Sequence, residues 1–357
     1  METKIIRLQS GAGMPSDCDR EALKEAGEVL KAGGLVAFPT ETVYGLGGNA
    51  LNPDSSRKIY EAKGRPSDNP LIVHISRFED IYPIVKEVSA EAKKIAEAFW
   101  PGPLTMILPK SDKVPYETTG GLNTVAVRMP SHPAARELIA RAGGYVAAPS
   151  ANTSGKPSPT VAKYVIEDML GRIDMIVDGG EVGIGLESTI IDLTVTPPQV
   201  LRPGYITDKM LEEVLGQVSN DVTMMSAATG QAPKAPGMKY RHYAPKGLLT
   251  IVRGTPEKTA EYIDDRVKED KAAGEKTGIL GTEENLSEYH ADVIKCVGSR
   301  NDEESVARHL YEALREFDDE GVTKIYSESF AAEGFGQAIM NRLLKAAGHR
   351  MVELSDW

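Results

Sequence analysis

Two cations stand two residues apart in the segment KGRPSDNPLIVH: Lys63 and Arg65, with Gly64 and Pro66 shaping the loop so that both charges can face one anion. Arg offers a planar fork of donors and Lys a compact point charge, a pairing suited to a polyphosphate. Upstream, PTETVYGLGGNA carries the hydroxyls of Thr40, Thr42 and Tyr44, with glycines at 45, 47 and 48 that permit close backbone approach. Downstream, TVAVRMP sets Thr124 and Arg128 on one face of a strand by period-two spacing. An Arg buried in an apolar strand needs a carboxylate beside it, whether internal or from a substrate. PSANTSGKPSP crowds Ser150, Asn152, Ser154 and Ser158 into a Pro/Gly-shaped loop, and LESTIIDL and QVLRPG add Ser188 and Arg202. Each cluster alone reads equally well as a turn or a solvated loop, and a lone histidine such as His74 in LIVHI is more often a core residue bonded internally. Together they describe a polar, cation-bearing pocket without an obvious nucleophile. That points to positioning and charge stabilisation in place of covalent catalysis.

These groups follow apolar bursts at residues 35–38, 71–75, 105–108, 124–129, 145–148, 174–177 and 188–193, with helical patterns at 54–62, 89–99, 132–142 and 160–170 between several of them. A first helix from Asp19 places Leu23, Ala26, Val29 and Leu30 on one face and stops at Gly33 and Gly34. Strands mixed with helices predict an α/β domain built on one sheet, with its ligand crevice beyond the strand ends. After Gly204 the segment ITDKMLEEVLG reads as one more helix. A stretch rich in Ser, Thr, Gly, Ala and Pro then reads as a linker, within which MKYRHYAP is unusually dense in functional side chains. Beyond it strands and helices alternate in a Rossmann-like pattern, and GFGQ before the last helix reads as a helix cap in preference to an anion cradle. The expected division is a catalytic domain at 19–206, a linker at 207–246 and a C-terminal domain at 247–357.

Composition limits the alternatives. A chain of 357 residues favours two domains, and no apolar run reaches the roughly 18 residues of a membrane span. The N-terminus lacks a secretory pattern, so a cytoplasmic location is expected. Cys18 and Cys296 are the only thiols, which argues against a disulfide framework or a zinc site. The formal charge of -11 lies mainly beyond residue 206: 22 Lys+Arg stand against 25 Asp+Glu before that point and 19 against 27 after it. Stable nucleic-acid binding is therefore not expected. No GxxxxGK[ST], HExxH, GxSxG or CxxC motif occurs.

In order along the chain, FPTETVYGLG, KGRPSDNPLIVH, FWPGPLT, VAVRMP, PSANTSGKPSPT, ESTIID and LRPG resemble the YrdC-type threonylcarbamoyl-AMP synthases. HYAP and GFGQAIMNRLLKAA resemble the linker and end of their two-domain form. The resemblance implies a YrdC-like twisted open mixed sheet with helices, followed by a smaller Rossmann-like α/β domain. It implies a nucleotidyltransferase that joins L-threonine, bicarbonate and ATP into threonylcarbamoyl-AMP and pyrophosphate. The product would pass to a tRNA threonylcarbamoyl-transfer complex that forms N6-threonylcarbamoyladenosine. Carried over residue by residue, the catalytic tetrad is Lys63, Arg65, Ser150 and Asn152. Threonine would meet Thr42, His74, Arg128, Ala148 and Ser188. ATP would meet Arg65, Asn69, Thr124, Ser150, Ser158, Arg202 and the linker residue Tyr243, with the linker as a possible lid. Magnesium is expected with ATP, held mostly by the nucleotide because no carboxylate cage is evident. Two other classes stand beside this one. A carbamoyl-transfer module related to hydrogenase maturation is disfavoured by the missing zinc-finger cysteines, and an RNA-binding protein by the charge.

Overall fold

A computed structural model describes residues 1–221, 235–236 and 242–354, which fall into two compact units. The first unit runs from Met1 to Ser154 and on from Ser158, and takes in residues 235–236; the second begins at residue 242 and also claims Gly155–Pro157. The first unit contains, in chain order, β1 (Lys4–Arg7), α1 (Asp17–Lys31), β2 (Val36–Phe38), β3 (Gly45–Asn49), α2 (Pro53–Lys63), β4 (Ile72–His74), α3 (Ala90–Phe99), β5 (Leu104–Pro109) and α4 (Tyr116–Thr119). It continues with β6 (Thr124–Arg128), α5 (Pro133–Arg141), β7 (Val146–Ala148), α6 (Ala162–Met169), β8 (Met175–Asp178), β9 (Thr189–Asp192), β10 (Gln199–Arg202), α7 (Asp208–Leu215) and β11 (Ser219–Asn220).

Its sheet has the order β1-β8-β2-β3-β7-β4-β6-β5-β9-β10-β11 and is mixed: β4 runs parallel to β6 and antiparallel to β7, while β5 runs antiparallel to β6 and parallel to β9. The expected open mixed sheet is thus present. Helix α1 starts as the sequence directs. Ser16 accepts from the Asp19 amide, the Asp19 carboxylate accepts from the Ser16 amide, and Leu23, Ala26 and Leu30 are buried. They pack with Leu138 and Ile139 of α5 over Val36, Val146 and Val177 of the sheet.

Strand β3 was not evident from its residues, GLGGN, which read as a turn. Here the glycines serve packing. A Cβ on Gly47 would lie 2.9 Å from both the Phe38 ring and Val146, and one on Gly48 would lie 3.0 Å from Ile59. At Gly47 a side chain would force its neighbours apart, and at Gly48 Ile59 would have to give way. Strands β1, β10 and β11 were also not foreseen, and β1 extends the sheet to residues ahead of 19. Helix α7 and β11 belong to the first unit although they lie within 207–246; most of the remaining linker segment is outside the described residues.

The second unit contains β12 (Leu248–Arg253), α8 (Pro256–Ala272), β13 (Thr277–Gly281), β14 (Val293–Cys296), α9 (Glu303–Asp319), β15 (Lys324–Glu328), α10 (Gly334–Ala346) and β16 (Met351–Glu353). All its strand pairs are parallel, as a Rossmann-like reading requires. The sheet order is β14-β13-β15-β12-β16, with β15 inserted between β12 and β13, so it departs from the dinucleotide-binding order 3-2-1-4-5. The Gly336 amide in the first turn of α10 donates to Glu303 Oε2 at 3.0 Å. An internal carboxylate therefore holds the position that GFGQ offered to an anion.

Candidate active site

Helix α2 ends because Gly64 adopts φ +63°, and this turn places Lys63 at the last helical position, only 3% exposed. The Lys63 ammonium donates to the backbone carbonyls of Ser150 and Asn152 and lies 3.5 Å from Asn152 Oδ1. Ser150 Oγ donates to Asn152 Oδ1 at 2.5 Å, and the Ser154 amide returns to Lys63 O at 2.9 Å. Three of the four expected tetrad members are thus one bonded unit, and Lys63 is the clamp of the PSANTSG loop. Arg65, half-buried, folds over its own loop: Nε donates to Asn69 O at 3.2 Å and Nη2 to Pro70 O at 3.1 Å. Asn69 is 1% exposed, and its Oδ1 has no hydrogen-bond partner among the described residues. A buried amide oxygen without a donor is costly unless a ligand supplies one.

The threonine-side residues gather where four strands meet. His74 on β4 is in register with Arg128 on β6 and with Val146 on β7, and Ile72 is opposite Ala148. Thr42 lies on the loop between β2 and β3, its hydroxyl 2.9 Å from that of Thr40 and its carbonyl accepting from Gly185. Arg128 is opposite Thr105 of β5, whose hydroxyl meets Ser188 Oγ at 2.8 Å. Arg202, at the end of β10, donates from Nε to Ser188 O at 3.0 Å and from Nη2 to Ser188 Oγ at 3.1 Å. Ser158 Oγ donates to the neighbouring Glu187 at 2.5 Å. The chain of contacts from Arg128 through Thr105 and Ser188 to Arg202 ties the expected threonine and ATP residues into one wall.

His74 is buried, its Nδ1 lies 3.1 Å from Ile72 O, and it also hydrogen bonds to the Val146 backbone. Burial, and then the Arg128 cation, pushes the imidazole down to about 3. It is therefore neutral at pH 7 and bonded internally. An unfolded chain protonates this group near pH 6.5, so between pH 6.5 and 3 the unfolded state binds more protons and stability falls as pH falls. Urea unfolding between pH 7 and 4.5 should show that loss, and His74→Gln should flatten the slope. His132 and His349 shift in the same direction, so the difference between variant and wild type isolates His74.

Thr124 opens β6 opposite Pro109, four residues and roughly 13 Å along the strand from Arg128. Tyr243 belongs to the second unit, where it adopts φ +63° and stacks on Tyr311 with centroids 5.2 Å apart. One participant was missed. Glu41, between the two threonines of PTET, lies 2.7 Å from Arg128 Nη2 with both groups largely buried. The signal was available: the buried strand Arg demanded a carboxylate, and Glu41 was the acid in the neighbouring motif.

Fold and site define an α/β protein whose first unit presents fixed cations and hydroxyls to a small anionic or zwitterionic molecule. The chain matches the Sua5/YciO/YrdC family, described as "Telomere recombination", over residues 28–204. It matches the threonylcarbamoyl-AMP synthase C-terminal domain over residues 206–348. It is 47% identical to a threonylcarbamoyl-AMP synthase of Pyrococcus abyssi over 94% of this chain and 98% of that protein. It is 49% identical to one of Bacillus subtilis, over 92% and 94%. The crystal structure of P. abyssi Sua5 complexed with L-threonine is similar with a TM-score of 0.92 at 45% identity, covering 99% of this chain and 100% of that one. The chain belongs to the threonylcarbamoyl-AMP synthase family.

Proposed function

We propose that this enzyme makes threonylcarbamoyl-AMP from L-threonine, bicarbonate and ATP, for N6-threonylcarbamoyladenosine formation in tRNA. The threonine amine combines with bicarbonate to give a carbamate with loss of water; a carbamate oxygen attacks the α-phosphorus of ATP, and pyrophosphate leaves. Arg128 receives the amino-acid carboxylate beside Thr42, Ser188 and the backbone of Ala148. Lys63 holds the Ser150 loop against the phosphates, and Arg65 meets the charge that builds as pyrophosphate departs, while Asn69 Oδ1, an acceptor without a partner among the described residues, takes a donor from the nucleotide. The observation that carries the reading is the presence in the first unit of two distinct cation groups, Arg128 with its carboxylate neighbour and Lys63 with its loop. Magnesium is proposed to enter with ATP, with phosphate oxygens as most of its ligands. Among the described residues no helix is long and apolar enough to cross a membrane. We place the reaction in the cytoplasm with its tRNA-modifying partners.

Pyrophosphate release from ATP should require both L-threonine and bicarbonate, and turnover without threonine rules the reading out. Arg65→Ala removes a charge-assisted contact and should cost about 1.5 to 3 kcal/mol, roughly tenfold to more than a hundredfold in rate. An unchanged rate returns Arg65 to the role of a solvated loop residue.

A further inference from the structure

Glu41 has no part in the reaction as described above, yet its surroundings are those of a binding group. Its side chain is 13% exposed, and both carboxylate oxygens are sealed from solvent without a hydrogen-bond partner among the described residues. Arg128 Nη2 is 2.7 Å from Oε1, an ion-pair distance, but it does not make a hydrogen bond to that oxygen. His132 Nδ1 is also sealed and unpartnered among the described residues, and it lies within the field of the same carboxylate. The backbone here is pinned, since Ile184 N donates to Glu41 O at 2.9 Å and Gly185 N to Thr42 O at 3.0 Å. Freedom of the loop therefore does not explain the open valences. A carboxylate offers about four acceptor positions, and those of Glu41 await donors.

We infer that Glu41 receives the α-ammonium of the amino-acid substrate, so that Glu41 and Arg128 together recognise a zwitterion. The inference rests on the assignment of this pocket to threonine and adds the half of the amino acid that no expected residue reads by charge. An ammonium carries N–H donors for the empty positions on Glu41, and the substrate carboxylate takes the guanidinium. Glu41 and Arg128 form a neutral pair, and a zwitterion enters between them without changing the net charge. A hydroxy acid of the same shape brings only its carboxylate and leaves two carboxylates beside one guanidinium. Charge complementarity thus makes Glu41 a determinant of amino-acid over hydroxy-acid binding.

The test is calorimetric binding of L-threonine and of its analogue with hydroxyl in place of ammonium, (2S,3R)-2,3-dihydroxybutanoate, to the full chain and to Glu41→Gln. Wild type should prefer threonine by at least about tenfold. Glu41→Gln should weaken threonine by roughly tenfold to a hundredfold and leave the dihydroxy acid unchanged or tighter. Equal weakening of both ligands means that Glu41 acts only by positioning Arg128, and no change in either means that it does neither; both results overturn the inference while the threonine reading stands. A wild type that binds neither ligand removes the threonine reading as well. If Glu41→Gln does not fold, Glu41→Asp decides: a reduced preference for threonine supports the inference, and an unchanged one overturns it.

Discussion

Replacing Lys63 by Met is expected to lower kcat/KM for ATP by at least about a hundredfold and to destabilise the protein measurably. The ammonium sits where two backbone carbonyls of one loop converge. A buried carbonyl deprived of its donor costs about 1 to 3 kcal/mol, so two of them make roughly 2 to 6 kcal/mol available to move the loop. The loop relaxes by turning those carbonyls outward, which displaces Ser150 Oγ and the Asn152 amide that it bonds. The charge lost near the phosphates adds about 1.5 to 3 kcal/mol in the transition state. Lys63→Arg should rescue little, because a planar guanidinium cannot occupy the compact point between two carbonyls. Pyrophosphate-release kinetics and urea unfolding on the same variants check this. Full activity with reduced stability would make Lys63 a clamp without a catalytic part.

How far the sequence discloses this site depends on the kind of signal. Apolar bursts marked β4, β5, β6 and β7 because buried strands read as continuous hydrophobic runs, and these strands carry His74, Thr105, Arg128 and Ala148. The Lys63 to Ser150 bond was out of reach, since it joins residues 87 positions apart through a side chain and a carbonyl. Nothing local announces which carbonyl a lysine will find. Strand β3 was hidden for another reason: its glycines are selected by the Phe38 ring and Val146 against which they pack, a tertiary demand that overrides strand propensity. The Rossmann-like pattern of the second unit was legible, but its strand order was not, because alternation along the chain does not say which neighbour a strand will take. Glu41 sits between Thr40 and Thr42, whose hydroxyls dominate the PTET pattern.

Arg128→Met should destabilise the protein by about 3 kcal/mol or more, because it leaves the Glu41 carboxylate buried with no cation beside it. It should also reduce threonine affinity at least a hundredfold. Either effect alone admits a structural explanation, and the two separate when Glu41 is neutralised as well. In Arg128→Met/Glu41→Gln the stranded charge is gone, so most of the lost stability should return; the interaction term of that cycle measures the pair. Threonine affinity should stay well below that of Glu41→Gln alone, because the group that receives the substrate carboxylate is still missing. A double variant that recovers both would mean that Arg128 only balances Glu41 and that the amino acid is held elsewhere. One that recovers stability but binds threonine more weakly than Glu41→Gln alone separates the two roles of the guanidinium: it neutralises Glu41 in the folded chain and binds the carboxylate of the substrate.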